Sequence, residues 1–334
     1  MRGVLVFLLL VVAASGAWAQ TAIDFGRYHA LVIGNNNYRH LPKLRTAVND
    51  ARAIADVLKG QYDFKVELLL NADRDAMVQA INRYRGLGDR DNLVIYYAGH
   101  GVLDEASERG FWLPVDAERD NEARWIDVAT ISGNLRAMNA RHILVVADSC
   151  YSGTLTRSAP ASLAQNGDRA AWIARMRERR ARVALVSGGL EPVIDGGGGG
   201  HSVFARAVID TLRENDGVLQ GSELFNRLRG RVVANADQTP AYNDIRYAGH
   251  EGGDFIFVPR GGRLPPVAAT PAPTPAAPSP AAPPPSVSID PTELAFWDAI
   301  KNSTNPADYR AYRARRDLQA KWERRYERER GRRG

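Results

Sequence analysis

Cysteine is almost absent from this 334-residue chain, and its absence is informative. One thiol, Cys150, cannot form an internal disulfide, so the fold must stand on its hydrophobic core. The one long apolar run, Val4–Ala14, is about half the ~20 residues a spanning helix needs, which excludes a multi-span membrane protein. The glycines at 196–200 lack the lysine of a phosphate loop, and the turn after Gly34 has no dinucleotide fingerprint. No calcium-loop pattern occurs, and His29, His40, His142, His201 and His250 have no metal-ligand spacing. No metal or cofactor is therefore expected from the motifs, and calcium stays open. A charge excess is also missing from the body: residues 20–309 hold 32 basic and 34 acidic side chains, net −2. The formal +6 belongs to residues 310–334, which carry eleven Lys/Arg and four Asp/Glu. Specific nucleic-acid binding is not expected.

What is present is globular: 45% hydrophobic and 25% charged. Arg2, the apolar run and Ala17-Trp18-Ala19 read as a signal peptide over residues 1–19, cleaved near Ala19, which predicts a periplasmic or secreted protein. Residues 22–258 alternate short apolar runs with helical patterns. Strands are expected at 28–34, 64–70, 93–98, 143–147 and 183–187, and Phe255–Val258 closes as a sixth. Helices are expected at 44–58, 74–84, 203–212 and 223–233, and Asn134–Ala140 reads as the end of a short one. Ser202 is the expected N-cap of the third. The pattern predicts an α/β fold: a mostly parallel, doubly wound, six-stranded sheet flanked by helices. Residues 259–291 hold 12 of the 18 prolines and form a linker, and 292–334 is a basic helical or disordered tail.

Two motifs stand at the carboxyl ends of two expected strands. Tyr96-Tyr97-Ala98-Gly99-His100-Gly101 follows the third, and Asp148-Ser149-Cys150-Tyr151-Ser152-Gly153 the fourth. Open parallel sheets bind ligands outside the carboxyl ends of their strands, so the one cysteine and a glycine-flanked histidine fall on the same edge. A cysteine needs a base or cationic neighbour to become thiolate at neutral pH, and a histidine can supply this and then protonate a leaving amine. The backbone N–H groups of Gly101 and Cys150 offer an oxyanion hole.

These paired signatures resemble the catalytic subunit of caspase-like cysteine peptidases, peptidase family C14, especially metacaspases and their bacterial relatives. The resemblance runs from about Tyr28 to Val258 and includes Leu44-Arg45-Thr46-Ala47-Val48-Asn49-Asp50-Ala51 and the Ser187-Gly188-Gly189 strand end. The 50 residues between His100 and Cys150 match caspase spacing. The resemblance implies a caspase–haemoglobinase fold and peptide-bond hydrolysis through a thioester, with Cys150 as nucleophile and His100 as general acid/base. It also implies cleavage after Arg or Lys, with Asp148 and Asp50 matching the acidic substrate-binding pocket; the Gln-Ala-Cys pattern of true caspases is absent. Partners are then protein or peptide substrates with basic P1 residues.

Some metacaspases cleave themselves between their two halves. The corresponding connection, 157–182, holds seven arginines and reads as an amphipathic surface helix, with Trp172, Ile173 and Met176 packing down. The tail at 310–334 interleaves basic and aromatic residues and leaves contact with an anionic surface open. The sequence thus predicts a secreted caspase-like endopeptidase. The alternative is a latent or non-catalytic caspase-fold interaction module tethered by its basic tail.

Overall fold

The computed structural model describes residues 24–104, 106–107, 109–149, 169–188, 199–236 and 238–261. The expected signal peptide, all but the first three residues of the expected linker, the tail and Cys150 lie outside the described residues. In chain order the first half contains β1 (Arg27–Gly34), α1 (Ala47–Tyr62), β2 (Lys65–Leu70), α2 (Arg74–Arg83), β3 (Asp91–Ala98), β4 (Gly101–Asp104), β5 (Arg109–Trp112), β6 (Ile126–Asp127), α3 (Val128–Ala137) and β7 (His142–Asp148). The second half contains α4 (Arg169–Glu178), β8 (Ala181–Val186), α5 (Val203–Arg213), β9 (Leu219–Gln220), α6 (Gly221–Val233), β10 (Ala241–Asp244) and β11 (Ile256–Phe257).

The main sheet has six strands in the order β10-β8-β7-β3-β1-β2, all parallel except β10. Every residue of β3 and β7 is buried, as expected of central strands covered on both faces. Their side chains divide by the two-residue period of a strand. Val94, Tyr96, Leu144 and Val146 pack with α1, α5 and α6, whereas Leu93, Ile95, Tyr97, Ile143 and Val145 pack with α2 and α3. This is the expected doubly wound sheet. Gly34 shows how tightly α1 sits on it, because a Cβ there would fall 2.5 Å from the Ala47 carbonyl oxygen and 2.6 Å from Ala51 Cβ.

Two expectations need correction. The sixth strand is β10, antiparallel on β8, and not Phe255–Val258. Ile256–Phe257 pairs instead with β9, while Phe255 and Phe257 join an aromatic cluster with Tyr28, Tyr62 and Phe64. Helix α1 begins at Ala47 instead of Leu44. The reason is Asn36: its carbonyl accepts from Leu44 N–H, its Nδ2 donates to the Arg45 carbonyl and its Oδ1 accepts from Val48 N–H, which holds residues 44–46 in a loop. The helix then runs on to Tyr62 and stops where Asp63 turns left-handed at φ 59°.

The amphipathic helix expected in 157–182 is α4, and Ile173 and Met176 are buried beneath it with Val218 and Ile256. Arg182 is not on its surface. It is fully buried in β8, and its guanidinium donates to the carbonyls of Leu135, Met138, Ala140, Arg141 and Ala181 at 2.7–3.2 Å. Those groups close the end of α3 and the turn into β7. Burial, with Arg180 adding to it, lowers its pKa to about 10, so it stays charged at neutral pH. Arg182→Ala would strip a donor from five carbonyls at once, of which those of Leu135, Met138 and Arg141 keep a second partner in Met138 N–H, the Arg180 guanidinium and Ala181 N–H. A loss of about 2–3 kcal/mol is expected in denaturant unfolding, and a loss below about 0.5 kcal/mol would contradict this role.

Candidate active site

Strands β3 and β7 are neighbours in parallel register, with Ala98 opposite Asp148. His100 lies two residues past Ala98, and Cys150 two residues past Asp148. Cys150 itself is outside the described residues. The two loops are also joined directly, since Gly99 N–H donates to the Asp148 carbonyl at 3.4 Å.

The His100 loop is fixed by main-chain bonds and two tyrosines. Its N–H donates to Tyr38 Oη at 2.7 Å, and the two rings lie 4.6 Å apart. Its carbonyl accepts from Tyr97 Oη at 2.6 Å and from Leu113 N–H at 3.0 Å. Tyr97 is itself stacked on buried Trp112, with ring centroids 4.4 Å apart and planes at 12°. The imidazole is half-buried, and its Nε2 lies 2.8 Å from the Pro42 carbonyl. A carbonyl only accepts, so Nε2 carries the proton and Nδ1 is the basic nitrogen.

Gly99 has no room for a side chain: a Cβ would sit 2.7 Å from both Tyr38 Oη and Tyr97 Oη. Gly99→Ala must therefore displace the two hydroxyls that hold His100. If His100 is the base, kcat should fall roughly tenfold to a hundredfold while KM changes little, because misplacement of an acid/base group is costly. Steady-state kinetics on the purified variant would check it.

Gly101, the expected oxyanion donor, opens β4 opposite Trp112. The His100 carbonyl faces Leu113, and a trans peptide points its N–H away from its C=O. The Gly101 N–H therefore faces away from β5.

The two expected substrate-binding carboxylates converge. Asp50, in the first turn of α1, is 1% exposed, and Asp148, at the end of β7, is 3% exposed. Ser202 touches both: its N–H donates to Asp50 Oδ2 at 3.3 Å, and its hydroxyl donates to Asp148 Oδ2 at 2.5 Å. Ser202 is also the N-cap of α5, its Oγ accepting from Ala205 N–H at 2.9 Å, as expected. Strand alternation explains the meeting, since Asp148 follows Val146 by two residues and so takes the α1/α5 face. Tyr96 shares that face, and its buried hydroxyl has no hydrogen-bond partner among the described residues. Burial, Asp148 and Asp50 push its pKa well above the ordinary phenol value.

No sequence motif marks His201, yet its Nδ1 lies 2.6 Å from Asp50 Oδ1. No motif marks Tyr38 or the Pro42 carbonyl either. His29 and His142 are strand residues, as expected. His142 Nδ1 faces Asn92 Oδ1 at 2.8 Å, and burial lowers its pKa to about 4. Among the described residues, no group of three or more His, Cys, Asp or Glu side chains could hold a metal ion.

Comparison with known proteins identifies the family. Residues 27–247, about two thirds of the chain, match the caspase domain model of peptidase C14, and the chain belongs to that family. It therefore carries a caspase-family cysteine peptidase domain with metacaspase relatives. It is 29% identical over 154 residues to Metacaspase-1 of Saccharomyces cerevisiae, and 28% identical over 153 residues to Metacaspase-1B of Neurospora crassa; each match covers 39% of this chain and 34% of the relative. It is 40% identical over 89 residues to human mucosa-associated lymphoid tissue lymphoma translocation protein 1, covering 26% of this chain and 10% of that protein. The chain thus spans a tenth to a third of the length of these relatives. A solved structure from Geobacter sulfurreducens is similar at 20% identity and a TM-score of 0.46, covering 65% of this chain and 92% of that one.

Proposed function

We propose that this protein is a secreted or periplasmic cysteine endopeptidase that cleaves after arginine or lysine. The observation that carries the specificity is the pair of buried carboxylates, Asp50 and Asp148, joined through Ser202 beside the His100 strand. Two carboxylates held together in a buried pocket favour a guanidinium or ammonium, which gains strongly when it enters and bonds to both. Residues 1–19 support export.

In this reading the Cys150 thiol gives its proton to His100 Nδ1, and the thiolate attacks the scissile carbonyl carbon. The oxyanion accepts hydrogen bonds from the Gly101 and Cys150 amides. His100 then returns the proton to the leaving amine as the C–N bond breaks, leaving a thioester. Water, deprotonated by His100, attacks the thioester and releases the acid product and the thiol. The Pro42 carbonyl steadies the imidazolium at Nε2 in both half-reactions.

The test is hydrolysis of matched fluorogenic peptides with Arg or Asp at P1, with and without calcium, beside Cys150→Ala. Cleavage after Arg that Cys150→Ala abolishes is the expected result. Cleavage after Asp would overturn the acidic pocket, and activity retained by Cys150→Ala would overturn the mechanism. Absence of turnover on both peptides would favour the latent module.

A further inference from the structure

We propose that His201 is a proton-sensitive gate on the P1 pocket: its imidazole occupies Asp50 when the pocket is empty and gives way to the substrate's basic side chain, less readily when protonated. The proposal rests on the basic-P1 reading and adds a residue and a regulation to it. The contact is specific. His201 Nδ1 lies 2.6 Å from Asp50 Oδ1, and the two side chains are only 13% and 1% exposed. The loop that carries His201 is fastened to the same helix, because Asn49 Nδ2 donates to the Gly200 carbonyl at 2.7 Å. Gly199 and Gly200 take φ of 64° and 90°, a conformation that suits glycine and turns the loop sharply before α5. His201 thus enters from the loop side, while Ser202, the next residue, spans from Asp50 to Asp148.

The groups around the imidazole set its behaviour. Helix α1 presents Asp50 and Asn49; α5 presents Arg206, Asp210 and Arg213; β7 contributes Asp148 through Ser202, and β3 contributes Tyr96. Burial first, then Arg206 and Arg213, hold the His201 pKa below the ordinary imidazole value, against the pull of Asp210. At neutral pH the ring is therefore uncharged. Its Nδ1–H donates to Asp50 and holds the carboxylate in place without neutralising it. Below its pKa the ring becomes a cation on the atom that an incoming guanidinium needs. An arriving P1 cation must then displace a cation, and binding expels a proton. By linkage, affinity for a basic P1 side chain falls by up to tenfold per pH unit on the acid side of the His201 titration.

A purely structural histidine would hold Asp50 but would not create that slope. Glutamine separates the two roles, since its amide N–H also donates to Asp50 and cannot titrate. The experiment uses the full chain with Cys150→Ala and a peptide with arginine at its C-terminus, titrated calorimetrically between pH 7.5 and pH 5. With His201 present, the dissociation constant should rise about tenfold or more on acidification. In His201→Gln it should rise less than about threefold, the remainder reflecting titration of the pocket carboxylates. Equal slopes in the two proteins would overturn the gate. NMR titration of the His201 ring in the chain with native His201 needs no substitution there: bound arginine peptide should shift its pKa, and an unchanged pKa would also overturn the gate. If neither protein binds the peptide at any pH, the acidic pocket itself is wrong, and the gate falls with it.

Discussion

His100→Ala is expected to lower kcat/KM for an arginine-P1 peptide by about 10³–10⁴-fold, or about 4–5.5 kcal/mol of transition-state stabilisation, with little change in Tm. The size follows from the two jobs assigned to one ring, generating the thiolate and protonating the leaving amine. The fold should survive, because the loop is held by the His100 backbone: its N–H on Tyr38 and its carbonyl on Tyr97 and Leu113. The side chain itself adds the bond to the Pro42 carbonyl and the ring contact with Tyr38. Alkylation of Cys150 by iodoacetamide near pH 7 should slow in parallel, since the thiolate fraction falls when its base is removed. Activity above about a tenth of the parent's would mean that another group takes the proton.

Asp148→Asn is expected to separate stability from activity. The amide keeps an oxygen to accept the Ser202 hydroxyl, now at 2.5 Å, and removes one of two buried negative charges that Ser202 joins. The free protein should therefore keep its Tm to within about 2 °C, because the bond to Ser202 is retained. Cleavage after arginine should fall about 10²–10³-fold in kcat/KM, because the guanidinium would enter a desolvated pocket with half its countercharge missing. The loss should be carried largely by KM. Calorimetry and kinetics on the same preparation would check both halves. A fall of several degrees in Tm together with unchanged arginine cleavage would make Asp148 a structural residue of the strand end.

Much of this architecture could be read from the chain because it depends on local pattern. β1, β3 and β7 contain the continuous apolar runs Ala30–Ile33, Leu93–Ala98 and Ile143–Ala147, and such a run is what a central parallel strand needs on both faces. β10 was missed because an edge strand needs little: Ala241-Tyr242-Asn243-Asp244 buries one aromatic ring, whose hydroxyl donates to Asp254. Phe255–Val258 reads as a main-sheet strand for the opposite reason, since its aromatics serve a cluster with Tyr62 and Phe64 and not a ladder with that sheet. The small antiparallel sheet of β4, β5 and β6 has strands of two to four residues, too short for periodicity to register. At the site, His100, Gly101, Asp148 and Asp50 were legible as motif positions. Their convergence was not, because it depends on Ser202, 54 residues beyond Asp148 and 152 beyond Asp50. The His201 contact with Asp50 is hidden for the same reason.

The partner of His100 Nε2 has a consequence for how this site shows itself to mutagenesis. In many acid/base sites the group that orients the imidazole is a carboxylate, which a single substitution deletes. Here it is the main-chain oxygen of Pro42, which every residue type possesses. A side-chain scan would thus pass over position 42 as silent and credit the proposed dyad to His100 and Cys150 alone. The dependence lies instead in the path of the backbone between β1 and α1, a path held by Asn36 and by Asn71, whose Oδ1 accepts from the N–H groups of Asn36 and Asn37. Insertions or deletions in residues 36–46, and not point changes at Pro42, are the lesions to which the orientation of the base is exposed.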